Sequence, residues 1–131
     1  MQDSKMVLDV VPLGKPRMTQ RDRWQKRPAV KRYYNYKDKL KELTAINGYK
    51  INEDIGTLRI TFTLPMPPSW SKKKKLTLNG KPHRQRPDID NLIKAFLDCL
   101  LKEDSMIHSV LANKVWGEKG SITVFPFPSD I

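Results

Sequence analysis

The hydrophobic positions of this chain follow two different periods, and the changes between them mark its elements. Residues 6–13, MVLDVVPL, are apolar enough for a first strand, which Pro12 and Gly14 should end. Residues 14–28 are basic and turn-rich, and read as a loop. From Val30 to Ile46 the apolar residues Tyr33, Tyr36, Leu40, Leu43 and Ile46 recur at threes and fours with charges between them, which predicts a helix. Asn47 and Gly48 supply its stop. The period then becomes two. In LRITFTL, Leu58, Ile60, Phe62 and Leu64 point one way and Arg59, Thr61 and Thr63 the other, as in a half-buried strand. Residues 65–87 hold five prolines, seven Lys or Arg and no acid, and read as a long loop or ribbon. Ile89, Leu92, Ile93, Phe96, Leu97 and Leu100 then make the wide apolar stripe of a second helix. Residues 106–116 and 121–127 read as strands joined by the turn GEKG, hence a C-terminal β-hairpin. The expected fold is α+β in one domain, residues 1–131: a mixed β-sheet with two main helices, in the order β-α-β-loop-α-β-β.

Composition adds a partner. The 131 residues suit a single domain, long enough to bury roughly two-thirds of its unfolded surface. The apolar share, 38%, is modest and leaves room for an oligomer that shares a core. Lys and Arg number 25 against 14 Asp and Glu, a net charge of +11, which points to a polyanion, nucleic acid before an anionic membrane. No apolar run approaches the roughly 20 residues that cross a bilayer, and the first residues lack the apolar stretch of a signal peptide, so no membrane partner is expected. The single cysteine, Cys99, excludes an internal disulfide and a Cys-based zinc site, fits a reducing intracellular setting, and sits in an apolar run as a small core residue.

Against that basic background, the segment RPDIDNLIKAFLDCLLKEDS gathers acids. Asp88 stands at or just before the second helix, Asp90 in its first turn, Lys94 four residues on and Asp98 four further, all on the polar face. Asp104 lies beyond the helix, where the fold could return it to Asp88 and Asp90. Two readings stand side by side. In one, the acids cap and solvate the helix start and Lys94 pairs with Asp90 and Asp98. In the other, the carboxylates hold a hard divalent cation, which resolves the conflict between an acidic cluster and a phosphate ligand, and Lys94 stabilises charge on the phosphate. His83 and His108 have no motif partner and read as ordinary polar residues.

The stretch RPDIDNLIKAFLDCL, followed by KEDSMIHSVLANKVWGE, resembles the signature of the RusA family of Holliday junction resolvases: Asp-x-Asp-Asn, a Lys four residues after the second Asp, a later Asp in the helix, then an acidic-Asp-Ser step into a strand. The N-terminal PLGKPRMTQRDRW is similar to that family's basic Lys-Pro-Arg segment. The resemblance implies a metal-dependent, structure-selective endodeoxyribonuclease that resolves four-way junctions by paired symmetric nicks as a homodimer, in a bacterial cell or phage-infected host. It implies Asp88, Asp90 and Asp104 as ligands of Mg²⁺, with Mn²⁺ as substitute, and Lys94 as the catalytic or phosphate-contacting lysine. Asn91 would brace a loop and Asp98 orient Lys94. Glu103 stands where the family commonly has Asp, and its longer side chain makes Asp104 the better ligand.

The basic segments are candidate DNA contacts: Lys72, Lys73, Lys74 and Lys75 with Arg84 and Arg86 on the way into the acidic site, and Lys15, Arg17, Arg21 and Arg23 near the N-terminus. Trp24 and Trp70 are candidates for stacking on bases at a branch point. The exposed side of the sheet and the 30–46 helix are candidate dimer faces. The competing functions are a non-catalytic nucleic-acid-binding module and a nuclease acting on other branched DNA or RNA.

Overall fold

A computed structural model describes residues 5–17, 27–46, 57–101, 105 and 107–126 of the chain. Their elements are β1 (Met6–Leu8), α1 (Pro28–Ile46), β2 (Thr57–Pro65), α2 (Lys72–Leu78), α3 (Ile89–Leu100), β3 (Ser109–Gly117) and β4 (Ser121–Pro126). The fold is α+β with a mixed sheet in the order β1-β4-β2-β3, where β2 and β3 run parallel and the other pairs antiparallel.

The alternation in β2 dictates which way the sheet faces. Leu58, Ile60 and Phe62 are fully buried and Leu64 nearly so, while Arg59 between them is exposed. β1 and β4 add Met6, Leu8, Ile122 and Val124 to the same side. α1 and α3 cover it. Pro28 opens α1, where its missing N–H costs nothing. The helix buries Val30, Tyr33, Tyr36 and Leu40, but the stripe gives out before its end, for Ile46 is 72% exposed. α3 buries Leu92, Ala95, Phe96, Leu97 and Cys99. Phe96 meets Phe62 edge to face, centroids 6.4 Å apart, which joins α3 to the middle of the sheet.

The structure departs from the expected order in two places. First, β3 and β4 do not form a hairpin. They lie on opposite sides of β2: Gly117 pairs with Pro65 on one side, and Ser121 with Thr63 on the other. The residues between them pass around the end of β2. Gly117 is required there, since a Cβ would run into the Thr63 methyl. A three-residue link between two strands looks like a local hairpin, but β3 is paired in parallel with β2, with α3 in the connection between them. Strand β3 also begins at Ser109 rather than at residue 106.

Second, the described residues contain three helices rather than two. The 65–87 segment, read as loop or ribbon, includes the short helix α2. Ser71 caps it, its hydroxyl accepting from the Lys74 N–H at 3.1 Å. None of its residues is buried, and Leu76 is 82% exposed. After α2 the chain runs along the free edge of β3. Gly80 and His83 donate to the Trp116 and Lys114 carbonyls, both at 2.9 Å, and the Trp116 N–H to the Lys81 carbonyl at 3.0 Å. The Lys114–Trp116 part of that edge is therefore covered rather than open to strand addition. No helix among the described residues is long and apolar enough to cross a membrane.

Candidate functional site

The site is built at the start of α3. Asp88 is its N-cap by backbone geometry, φ −69° and ψ 144°, and its carbonyl accepts from the Leu92 N–H at 3.1 Å. Its carboxylate makes no capping bond, although capping is what an aspartate at that position ordinarily supplies. Asp90, in the first turn, accepts from the Asn91 N–H at 2.9 Å. Both carboxylates are exposed, and neither has an ion-pair partner among the described residues. The pairing reading therefore fails for Lys94, which is exposed and joined to neither Asp90 nor Asp98.

Asp98 pairs elsewhere. Its partner is Lys15 at 3.4 Å, each side chain about one-third exposed, 34% for Lys15 and 30% for Asp98. The expected orientation of Lys94 by Asp98 is replaced by a link to the N-terminal basic segment. Asn91 adds a second link, its amide donating to the Lys15 carbonyl at 3.3 Å. Gly14 lets the two segments approach, because a Cβ there would lie 2.5 Å from the Asn91 amide nitrogen. Arg17, exposed, follows directly, and its carbonyl accepts from the Arg27 guanidinium at 2.6 Å. Two segments about 80 residues apart in sequence thus meet along one helix.

On the other flank, Lys114 of β3 reaches under the turn that leads into α3. Its ammonium donates to the carbonyls of Gln85 at 2.5 Å and Pro87 at 2.7 Å, immediately before Asp88. Arg84 and Arg86 in this turn are exposed. Behind it lies an aromatic stack: His83 on Trp116 with centroids 4.1 Å apart, Trp70 on Trp116 at 4.8 Å, and the Lys74 ammonium 4.2 Å above Trp70. His83 is only 6% exposed and its Nδ1 faces the Gln85 N–H at 3.4 Å. Burial, with the neighbouring Lys114 charge, lowers its pKa. Lys72, Lys73 and Lys74 are exposed and Lys75 half-buried. Trp70 is half-buried by this stack, which limits the ring surface it offers to a base. His108 is exposed and lies against the Ser109 hydroxyl at 3.1 Å, at the start of β3.

Asp104, Glu103, Arg21, Arg23 and Trp24 lie outside the described residues. Among the described residues no three His, Cys, Asp or Glu side chains form a metal-holding group. Asp88 and Asp90 bring two carboxylates, hard oxygen donors without a cationic partner among the described residues, Asp88 making no capping bond and Asp90 accepting only from the Asn91 N–H, and that donor set fits Mg²⁺, which is commonly held by one or two carboxylates with waters completing its shell.

Reading the sequence for acids and cations missed Gly14 and Lys114. Lys114 had a visible signal. In β3, Ala112, Lys114 and Trp116 pair in register with the core residues Ile60, Phe62 and Leu64, so a lysine occupies a place where the alternation calls for an apolar residue. Gly14 carried no comparable signal, since its role depends on a helix far away in sequence.

Compared with known proteins, the chain matches the family model described as endodeoxyribonuclease RusA over residues 9–125. No curated protein matches it. The matched span takes in the KPR segment, the aromatic stack, the acidic turn and all of β3.

Proposed function

Because the chain belongs to the RusA family, and so is a DNA nuclease, we propose that it resolves four-way DNA junctions by paired symmetric nicks with Mg²⁺ as cofactor. The observation that carries the reading is the acidic turn itself: Asp88 stands at a helix N-terminus without capping it, and Asp90 stands one turn edge away without an ion pair among the described residues. A carboxylate used only to cap the helix would be expected to make the bond that Asp88 lacks.

Asp88, Asp90 and Asp104 would hold the cation, with Mn²⁺ able to replace Mg²⁺. When bound, the ion supplies charge neutralisation at a phosphoryl oxygen and activates a water. Lys94, exposed and without a partner among the described residues, would donate to a phosphate oxygen as charge develops there. Arg84 and Arg86, flanking the acidic turn, and the α2 lysines Lys72 to Lys75 would track the backbone, with Lys15, Arg17, Arg21 and Arg23 extending the same track. Lys15 does so while its ammonium is shared with Asp98. A four-way junction is two-fold symmetric or nearly so, and a C2 homodimer of single-domain protomers would set two sites on opposed strands. The setting is the cytoplasm of a bacterial cell or phage-infected host.

The test uses labelled four-way junction, linear duplex and replication fork, each with Mg²⁺ or EDTA. Paired nicks on the junction alone are expected. Asp90→Asn should bind the junction as the unchanged protein does and fail to cut it in Mg²⁺. Normal cutting by that variant would overturn the site, and equal cutting of all three substrates would overturn the selectivity.

A further inference from the structure

The turn that carries Asp88 is held by Lys114, and nothing in the reading above uses that lysine. It rises from β3 on the helix-bearing face of the sheet, in register with the fully buried Phe62. A lysine there needs acceptors for its ammonium, or it leaves an unpaired charge at the margin of the core. It finds two, the Gln85 and Pro87 carbonyls at 2.5 and 2.7 Å. Its own carbonyl takes the His83 N–H at 2.9 Å, so one residue grips residues 83 to 87 through both backbone and side chain. On the far side, Asn91 holds the Lys15 carbonyl. The Asp88–Asp90 turn is therefore clamped at both ends, and the clamp at its entrance is cationic.

We propose that Lys114 is a positioning residue for the acidic turn: it fixes the backbone from which the Asp88 carboxylate projects, without itself contacting DNA or metal. The proposal rests on the nuclease reading for its functional consequence, but its structural content does not. Two neutral carbonyl acceptors leave the ammonium charge intact. A cation close behind Asp88 holds the turn without forming an ion pair with it among the described residues.

The experiment compares Lys114→Met, Lys114→Arg and the unchanged protein in three measurements. In hydrogen–deuterium exchange without metal, K114M should lose protection across residues 84–92 while β2 and β4 keep theirs. In junction cleavage against Mg²⁺ concentration, K114M should raise the activating midpoint about tenfold, the lower end of what loss of an outer-shell partner does to metal affinity, and recover rate at saturating Mg²⁺. In EDTA its junction affinity and salt dependence should be unchanged. K114R, which keeps charge and donors, should restore much of the midpoint. Unchanged exchange over 84–92 overturns the clamp. An unmoved midpoint with weakened binding in EDTA also overturns the proposal, since Lys114 would then be a phosphate contact. If K114M does not fold, Lys114→Gln, which keeps a shorter donor, takes its place with the same outcomes. If no variant and no wild-type protein cuts any junction, the nuclease reading fails, while the exchange experiment still decides the clamp.

Discussion

Replacing Gly14 by alanine should destabilise the protein, and the same replacement should be neutral or stabilising once Asn91 is also alanine. A Cβ at residue 14 would lie 2.5 Å from Asn91 Nδ2 and 3.1 Å from its Cγ, so the amide must swing away and lose its bond to the Lys15 carbonyl. That neutral bond is worth about 0.5–1.5 kcal/mol net, and the repacking around the displaced amide adds a cost of the same order. Against it stands the loss of chain freedom in the unfolded state, which favours alanine by about 0.4–1 kcal/mol where the backbone is not left-handed. Gly14 has no such backbone. The balance is a destabilisation of about 1 kcal/mol, or about 4 °C in melting temperature for a domain of this size. In the Asn91→Ala background the clashing atoms are gone, the bond is already absent, and the remaining Cβ of residue 91 would lie 3.6 Å away, an ordinary contact. Only the favourable unfolded-state contribution survives, so the sign reverses. Thermal and urea unfolding of the two single variants and the double variant measure this directly. Additive effects would refute the reasoning, for then Gly14 is needed for something other than its approach to Asn91.

Three further outcomes are expected. His83 has a folded pKa below its unfolded value near 6.5, so the unfolded chain binds a proton that the folded chain resists. Its contribution is complete above about pH 6.5 and is lost as pH falls from there toward the folded pKa, so replacing His83 with phenylalanine should flatten the melting-temperature profile below about pH 6.5. Lys72→Ala with Lys73→Ala should keep α2, since alanine is a good helix former, and lower the slope of log affinity against log salt by up to about 0.9 per lysine that touches a phosphate. An unchanged slope would remove those lysines from the DNA track. Asp98→Asn breaks a partly exposed ion pair and should cost at most about 1 kcal/mol in unfolding experiments, an effect that shrinks with added salt.

Strands and helices were legible where packing repeats along the chain. In β2, Leu58, Ile60, Phe62 and Leu64 fill one face, and the α3 stripe is buried at Leu92, Phe96 and Leu97 and half-buried at Ile93 and Leu100, while Ile89 at its start is exposed. Pairing was not legible, because it depends on partners distant in sequence: nothing in residues 106–127 says that β2 slots between β3 and β4. Helix α2 escaped because no apolar period marks a helix that buries nothing, although Ser71 three residues before Lys74 was an available cap. In the site, the residue types were legible and their partners were not. Asp98 at helical spacing from Lys94 looked paired with it, yet the long side chain of Lys15 arrives from another segment and takes that place.

The way this basic chain treats its own acids follows from where its lysines find acceptors. Lys114 and Lys15 both come close to the acidic helix, and each is satisfied away from its first turn: Lys114 by two carbonyls, Lys15 by Asp98, about 12 Å further along the axis at 1.5 Å per residue from Asp90. Lys94, one turn on from Asp90, remains unpaired among the described residues. The helix N-terminus itself favours negative charge, by about 0.3–1 kcal/mol at an exposed position. The turn can then hold its charge without a lysine across it, which leaves carboxylate oxygens for a cation and leaves the lysines' neighbourhood positive for phosphate. A lysine paired to Asp88 would satisfy the local charge and abolish both properties at once.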